Sequence, residues 1–234
     1  MTTPKELGLH RVGFSPLPVG VSQWHVFDHP YAWNAPNPYS KGRHAWRDGA
    51  HGNFYTSLDP MGALFESVFR RAKVRIDAAS GMKLLYVDPA ALAGKAIVEL
   101  ILVQENGCLD LRPGNFAALV DPGSPLDNAW AQLHAAVRYH RSWTTTLELA
   151  QLVAAHAVPR YPILPALAWR SRRLHSSTVY LHFDPPIGSD AWLAIGGPLD
   201  LDSAAGLAKL KVWCINAGFV LVVLPFDSAP DEDL

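Results

Sequence analysis

The sequence predicts an α+β fold, with a strand-rich mixed β core and helices around it. Some segments are rich in β-branched and aromatic residues, which is typical of strands, and others have apolar residues at the three- and four-residue spacing of helices. The two kinds do not alternate strictly, as a doubly wound sheet would require. The chain has 234 residues, of which 49% are hydrophobic and 18% charged, enough for one sizeable core. We therefore expect a single domain over residues 1–234.

In the first half of the chain, one helix and four strands are predicted. The helix has clear start signals, because Asp59 is a preferred capping residue and Pro60 suits the first helical position. We expect this helix to run to about Lys73. The proline-rich residues 15–40 are predicted to be irregular but ordered, since their aromatic side chains need to be buried. The predicted strands are residues 9–14, 53–57, 83–87 and 96–103.

In the second half, the same patterns predict two helices and four strands. The tripeptide Asn216-Ala217-Gly218 is typical of a tight turn, so the last two strands are expected to form a hairpin within the same domain. Residues 228–234 are expected to be a frayed tail. The predicted helices are residues 126–139 and 145–156, and the predicted strands are residues 163–169, 178–183, 210–215 and 219–224.

Charge and hydropathy exclude several classes of partner. The net charge of -1 argues against broad electrostatic binding of nucleic acid, which needs a strongly basic surface, so no direct nucleic-acid binding is expected. The first ten residues lack the charged and apolar regions of a secretory signal. The longest apolar run, residues 219–226, is too short to span a bilayer. These features favour a cytoplasmic protein that does not enter the membrane.

The cysteines and histidines show no pattern typical of a metal site. Cys108 and Cys214 belong to no Cys-x-x-Cys or Cys/His motif, so buried free thiols in a reducing compartment are expected. His25 and His29 are four residues apart, but the partner glutamate of a zinc protease is missing, and the other histidines are scattered. We therefore predict no bound metal.

Residues 42–70 bring together the polar residue types that a nucleotide site needs. Arg43 follows a glycine in a turn-rich stretch, Tyr55 lies near a strand end, and Glu66 lies on the shoulder of the apolar face of the predicted helix. An arginine can hold a diphosphate, a tyrosine can pack on a ring, and a carboxylate can stabilise a developing sugar cation. Arg47, four residues after Arg43, is an alternative phosphate-binding residue.

The helix on its own allows a plainer interpretation of Glu66. Arg70 lies four residues further on, so an exposed ion pair worth about 0.3–0.5 kcal/mol would account for both side chains. Because surface glutamates are common, the helix taken alone favours this ion pair over a functional role.

A third candidate element is Ala168-Trp169-Arg170-Ser171-Arg172-Arg173, at the end of a predicted strand. It is either a basic, solvated turn or the edge of a pocket to which Ser171 contributes a hydroxyl group. The Gly-x-Ser-x-Gly pattern of a hydrolase nucleophile elbow is missing around this serine, so such an elbow is not predicted.

Together, these segments resemble the RES-domain family, the toxins of Xre-type toxin–antitoxin pairs, named for an arginine, a glutamate and a serine. The resemblance covers about residues 9–185, and the order and rough spacing of its motifs agree across that range. The strand-then-helix block from Tyr55 to Glu66 is its most specific part. The matching segments are His10-Arg11-Val12, Gly42-Arg43, Gly52-Asn53-Phe54-Tyr55, Ala63-Leu64-Phe65-Glu66 and Trp169-Arg170-Ser171-Arg172.

The resemblance implies a compact fold similar to ADP-ribosyltransferases, with NAD as the substrate. Members of the family cleave NAD at the nicotinamide–ribose bond, some by phosphorolysis, and others ADP-ribosylate proteins. Carried over to this chain, Glu66 would stabilise the sugar cation, Arg43 would hold the diphosphate and Tyr55 would pack on a ring. Ser171 would orient the nicotinamide ribose or amide, and Arg11 is a weaker candidate for phosphate binding. With the resemblance included, a functional role for Glu66 is favoured.

The leading hypothesis is therefore a cytoplasmic, NAD-degrading toxin that acts by phosphorolysis or hydrolysis and is neutralised by a cognate Xre-type helix-turn-helix antitoxin. Two alternatives remain open. One is a mono-ADP-ribosyltransferase, for which the acceptor is a cellular protein instead of inorganic phosphate or water. The other is a non-catalytic module that binds NAD or a partner without turnover.

Overall fold

The computed structural model of the chain describes residues 15–40, 44–45, 49–112, 122–124, 127–128, 131–132, 165–171 and 173–225. In these parts the fold is α+β, as the sequence predicts, with one nine-stranded sheet, a small three-stranded sheet and a few helices. The strands are β1 (Ser15–Pro16), β2 (Ser22–Asp28), β3 (Gly52–Ser57), β4 (Lys73–Ile76), β5 (Lys83–Val87), β6 (Lys95–Leu102), β7 (Gly107–Asp110), β8 (Ala166–Arg170), β9 (Thr178–Asp184), β10 (Trp192–Ala194), β11 (Leu199–Asp200) and β12 (Phe219–Val223). The helices are α1 (Pro60–Glu66), α2 (Pro89–Leu92) and α3 (Ala204–Asn216).

The large sheet has the strand order β1-β7-β8-β9-β3-β2-β6-β10, and β11 pairs with β6 as well. Its neighbouring strands are antiparallel, except that β7 and β8 are parallel. Every residue of β2 is paired with β6, and every residue of β3 is paired with β9. These two ladders form the two halves of the sheet.

The two halves meet at β2 and β3. Within these two fully described strands, Trp24 and Ser57 are the one pair in register. Beyond that pair, toward the end of β2 and the start of β3, the strands diverge. His25 Nδ1 lies 2.6 Å from the carbonyl oxygen of Tyr55. The His25 side chain therefore bridges β2 and β3 next to the Trp24–Ser57 pair, where a backbone hydrogen bond would otherwise form. The divergence opens a cleft in the sheet.

Apolar cores lie on both faces of the large sheet. One core contains α1, α3 and the small sheet, and includes the fully buried Leu64 and Leu210. The other contains Phe54 and Leu100. Successive residues of β6 point to alternate faces, so the strand contributes to both cores. Helix α1 is thereby held against the face onto which the Tyr55 side chain projects, opposite that of Phe54.

Helix α1 begins as predicted and ends earlier. Asp59 caps it by accepting a hydrogen bond from a backbone amide of the first turn (2.7 Å). The prediction that the helix reaches about Lys73 is wrong, because it stops after Glu66. At Ser67 the hydroxyl donates to the carbonyl of Ala63 (2.6 Å) and the backbone leaves the helical region. Serine bonded to the preceding turn in this way often bends or ends a helix. A 3₁₀ turn and β4 follow.

The prediction of a C-terminal hairpin is wrong. Residues 210–215, predicted as a strand, belong to helix α3, which Ser203 caps by accepting a hydrogen bond from the Gly206 amide (2.9 Å). Valine, tryptophan and isoleucine in this segment favour strands locally, but the helical spacing of the buried positions prevails. The predicted turn is instead the helix end, where Gly218 has a φ of 82°, and β12 then runs parallel to β5. The buried positions are Gly206, Leu210, Trp213 and Cys214.

The proline-rich residues 15–40 are more regular than predicted. Seven of them form β2, in which half-buried and buried side chains alternate. This stretch contains no proline, so it can occupy a central position in the sheet. Trp24 and Trp33 are partly buried, as predicted. The prediction of burial is wrong for Tyr31, which is 69% exposed.

The other predicted strands in the described part of the chain are confirmed, with shifted ends. They correspond to β3, β5, β6, β8, β9 and β12. The strand predicted for residues 9–14 lies outside the described residues. The helix predicted for residues 145–156 also lies outside the described residues. Of the helix predicted for residues 126–139, residues 127–128 and 131–132 are described, and they are helical.

Cys108 and Cys214 are buried free thiols, as predicted. Burial raises the pKa of each to about 12, so the unreactive thiol form prevails at neutral pH. Among the described helices, none combines the length and apolar character needed to cross a membrane.

Candidate active site

The side chains of Glu66 and Ser171 are hydrogen-bonded although they are 105 positions apart in the sequence. Ser171 Oγ donates to Glu66 Oε1 at 3.0 Å. Ser171 directly follows β8 and is 0% exposed, whereas Glu66, the last residue of α1, is half-buried. The Ser171 amide donates to the carbonyl of Ser177 (2.9 Å), which extends the pairing of β8 with β9 and fixes the backbone at this position. Two of the predicted site residues therefore meet.

A glycine allows α1 to lie close to the strand ends. A methyl group at Gly62 would overlap the hydroxyl oxygens of Ser57 and Ser177, which are hydrogen-bonded to each other (2.9 Å). Gly62 and Glu66 are four residues apart and so share one face of the helix. The close approach at Gly62 thus holds Glu66 against the strand end that carries Ser171.

Tyr55, Trp169 and His44 form an aromatic group on the same side of the sheet. Trp169 and Ser171 are two residues apart at the end of β8, so their side chains point to the same face. The half-buried Tyr55 ring lies edge-on to that of Trp169, with centroids 6.2 Å apart. The buried His44 ring lies 5.0 Å from that of Trp169, and its φ of 60° is uncommon for a residue other than glycine. His44, the residue that follows Arg43, is therefore anchored beside Trp169.

The divergence of β2 and β3 opens a cleft of about 1030 Å³. Tyr55 and Glu66 both line it, together with residues of β2 and of the segment from Tyr31 to Ser40. This volume is at the upper end of the usual range for small-molecule sites, which suits an extended ligand such as a dinucleotide.

Charges of both signs line the cleft. Arg70 and Arg71 lie near Glu66, and Lys95 forms an ion pair with Asp28. The Arg70 guanidinium donates to the backbone carbonyl of Glu66 (2.6 Å), while the Glu66 carboxylate accepts from the serine hydroxyl. The spacing of four residues between Glu66 and Arg70 therefore allows a hydrogen bond from the guanidinium to the main chain of Glu66. Guanidinium groups beside a carboxylate suit a ligand in which phosphate is linked to a sugar.

Two buried histidines lie behind the cleft in a polar network. The His25 ring stacks on Phe54, with centroids 4.0 Å apart. His182 Nε2 lies 3.0 Å from Thr56 Oγ1, which donates to Gln23 Oε1 (2.6 Å). Burial lowers the pKa of His25 to about 4 and that of His182 to about 3, so both rings are neutral at neutral pH. Because a carbonyl oxygen can only accept, the hydrogen of neutral His25 is on Nδ1, facing the Tyr55 carbonyl.

Two of the predicted site residues are in contact in the structure, and a third lines the same cleft. Glu66 and Ser171 are hydrogen-bonded, and Tyr55 lines the same cleft as Glu66. The other three predicted site residues, Arg11, Arg43 and Arg47, lie outside the described residues. Their phosphate-binding role therefore stays a prediction, and so does the choice between Arg43 and Arg47.

Sequence reasoning missed several residues that shape the cleft. The burial of His25 was indicated only by the alternating pattern of β2. The prolines of this segment predicted an irregular structure instead. Gly62 carried a clearer signal, because a glycine inside a helix often marks a close approach. Arg71 and Lys95 carried none, since nothing in the sequence shows which surface cations face a cleft.

No model of a known protein family matches the chain, and no curated protein matches it. Within the described residues, no group of three or more His, Cys, Asp or Glu side chains could hold a metal ion. A function is therefore inferred from the geometry of Glu66, Ser171 and Tyr55, and from the motif order that resembles the RES-domain family.

Proposed function

We propose that this chain binds NAD in the cleft between β2 and β3 and cleaves the nicotinamide–ribose bond. The hydrogen bond from Ser171 to Glu66 carries this proposal, because it fixes a carboxylate at the wall of a cleft large enough for a dinucleotide. Tyr55 lines the same cleft and offers a ring for packing. The arginines beside Glu66 favour a ligand with phosphate groups.

Cleavage of this bond requires stabilisation of a positively charged sugar. The C1′–N bond breaks, its electron pair passes to the nicotinamide nitrogen, and C1′ takes on oxocarbenium character, as in glycoside hydrolysis. The Glu66 carboxylate accepts hydrogen bonds from the ribose hydroxyls and stabilises this charge. Water then adds at C1′ and releases a proton, or inorganic phosphate adds through one of its oxygens.

In this scheme Ser171 positions the carboxylate. The family resemblance assigns Ser171 to the nicotinamide ribose or amide, but its hydroxyl is fully buried and donates to Glu66. With Oε1 fixed by the serine, Glu66 presents its other oxygen to the ligand. An acceptor held in place before the substrate binds needs no reorganisation during the reaction.

Purified protein incubated with NAD, with and without inorganic phosphate, tests the proposal. Loss of NAD that accelerates with phosphate and yields a phosphorylated ADP-ribose indicates phosphorolysis, and loss independent of phosphate indicates hydrolysis. Label from NAD on a protein would favour the mono-ADP-ribosyltransferase instead. Folded protein that binds NAD without turnover would favour the non-catalytic module.

The variant Glu66→Gln tests the role of the carboxylate. It removes the negative charge and keeps the size of the side chain, so we expect kcat to fall about 10²- to 10³-fold. Glu105→Gln is the matched control, because Glu105 is exposed and does not line the cleft. A folded Glu66→Gln variant with full NAD turnover would remove Glu66 from the mechanism.

We also propose that the reaction takes place in the cytoplasm and that a helix-turn-helix antitoxin neutralises the chain. The resemblance to RES-domain toxins supports this part of the proposal. Expression in a bacterium without the antitoxin should lower cellular NAD before growth stops, and Glu66→Gln should do neither. Growth arrest by the Glu66→Gln variant would point to a toxic effect other than NAD loss.

A further inference from the structure

Two tyrosines of the cleft leave most of their surface in water. Tyr31 is 69% exposed and Tyr39 is 81% exposed, and both line the cleft. Burial of an aromatic side chain contributes a large favourable free energy, so two exposed rings at a cleft offer a large contact surface to a ligand. Among the residues that the structure describes, neither ring belongs to an apolar core.

The two tyrosines are attached to opposite sides of the cleft. The Tyr31 amide donates to the carbonyl of Asp28 (2.9 Å), the last residue of β2. On the other side, Asn37 and Asn53 exchange backbone hydrogen bonds of 3.0 and 3.1 Å, which ties the segment before Tyr39 to the start of β3. The segment between them therefore crosses the open end of the cleft and presents one ring from each side.

The segment that carries these rings is held in a fixed shape. The Asn37 side chain accepts a hydrogen bond from the Tyr39 amide (2.8 Å) and so closes a local turn. Pro36 and Pro38 restrict the backbone on either side of it. A methyl group at Gly52 would overlap the Pro36 ring, so the glycine allows the segment to lie directly on β3. The backbone that carries Tyr39 is thus set before a ligand binds.

The tyrosines lie at the opposite end of the cleft from the Glu66 side chain. Tyr39 is near Asn53, and Glu66 contacts Ser171 at the level of Ser57. Four residues of strand separate these two levels along β3, or about 13 Å. A ligand that reaches both ends must therefore be elongated, and the ends that fit are a sugar at Glu66 and a flat ring at the tyrosines.

We propose that Tyr31 and Tyr39 form a second ring-binding subsite that stacks the purine base of a dinucleotide whose sugar lies at Glu66. The inference rests on the proposed function for the identity of the base, which is adenine because the proposed ligand is NAD. Stacking on aromatic side chains contributes substantially to the binding of bases and requires no base-specific hydrogen bonds. The subsite fixes the orientation of the ligand, with its nicotinamide end toward Glu66.

Binding of the two halves of NAD tests the subsite without any turnover. Calorimetry would compare AMP, which carries the adenine, with nicotinamide mononucleotide, which does not. We expect Tyr31→Leu and Tyr39→Leu to weaken AMP binding about 5- to 100-fold and to leave nicotinamide mononucleotide unchanged. Tyr31→Phe and Tyr39→Phe are the matched controls, because they keep the ring and should bind AMP like the wild type. Both tyrosines are exposed, so all four variants should fold.

The two proposals fail in different ways. AMP affinity that is the same in the leucine variants and the wild type would overturn the subsite, as would equal weakening of both halves or no AMP binding to the wild type at millimolar concentration. Tyrosine-dependent AMP binding in a protein that consumes no NAD would support the subsite and refute the proposed reaction. NAD turnover with tyrosine-independent AMP binding would do the reverse.

Discussion

At the scale of single residues, the site depends on one hydroxyl group with a single well-defined partner. Ser171 is fully buried, and its proton is donated to Glu66 (3.0 Å). A hydrogen bond to a charged group contributes more than one between neutral groups. Because the Ser171 amide is held by the carbonyl of Ser177, just before β9, the direction of the carboxylate is set by the sheet and not by the helix alone.

Ser171→Ala should therefore lower kcat and leave KM for NAD nearly unchanged. Loss of a hydrogen bond to a charged group predicts a fall in kcat of about 10- to 100-fold, because the carboxylate is no longer held toward the reacting sugar. Steady-state NAD consumption measures both constants. Ser80→Ala is the control, since it also removes a hydrogen bond between a serine and a carboxylate, that of Asp77, in an exposed turn.

A different split between the constants would contradict this role. A raised KM with unchanged kcat would indicate that the Ser171 hydroxyl contacts NAD directly in the bound state, as the family resemblance implies. Equal activity of wild type and Ser171→Ala would mean that the hydrogen bond is only structural.

At the scale of elements, the placement of α1 controls the site. The helix is only seven residues long, too short to be stable without tertiary packing. Its position is set by burial of Leu64 and Phe65 in the core and by the close contact of Gly62 with two serine hydroxyls. Glu66 then projects from the last position before Ser67 ends the helix.

Gly62→Ala should destabilise the fold and reduce activity together. The added methyl group overlaps the hydroxyls of Ser57 and Ser177, so either α1 or the strand ends must move. Overpacking of this kind costs about 1–3 kcal/mol, measurable by urea unfolding. Gly197→Ala is the matched control, because nothing lies within 4 Å of a methyl group there and its φ is not positive. We expect its free energy of unfolding to stay within about 0.5 kcal/mol of the wild type.

The activity of Gly62→Ala separates two explanations of the glycine. If the close approach serves to place Glu66, NAD turnover should fall by more than the fraction of unfolded protein accounts for. A variant with full activity per folded molecule would show that the approach serves packing only.

At the scale of the whole molecule, local signals predicted much of the fold and little of the site. The start of α1, the strand that contains Tyr55 and the two buried thiols follow from short-range patterns, and they are confirmed. Helix α3 was missed because β-branched and aromatic residues outweighed a helical burial pattern that only the tertiary structure reveals. The contact between Glu66 and Ser171 depends on where a strand end meets a helix, which no local pattern encodes.

The cleft itself is a property of the whole sheet. It exists because β2 and β3 share one residue pair while each is fully paired on its other side. Polar residues at the junction replace the backbone ladder that is missing there. Two of them are His25 and His182, whose rings are buried between the cleft and the second core. The stability of the junction should therefore depend on the protonation of these two histidines.

Stability should fall below about pH 6.5 because both histidines are buried as neutral rings. Their pKa values in the folded state, about 4 for His25 and about 3 for His182, lie below the value of 6.5 expected for the unfolded chain. Between these values the unfolded chain binds more protons, so the free energy of unfolding decreases as the pH falls, by up to about 1.4 kcal/mol per pH unit for each histidine. Above about pH 6.5 neither histidine contributes a slope.

Urea unfolding between about pH 7.5 and 5 measures this slope of the unfolding free energy with pH, before most carboxylates titrate. His182→Gln should remove about half of the slope, whereas His175→Gln, at an exposed position, should leave it unchanged. Equal slopes in the wild type and His182→Gln would show that His182 does not carry the pH dependence.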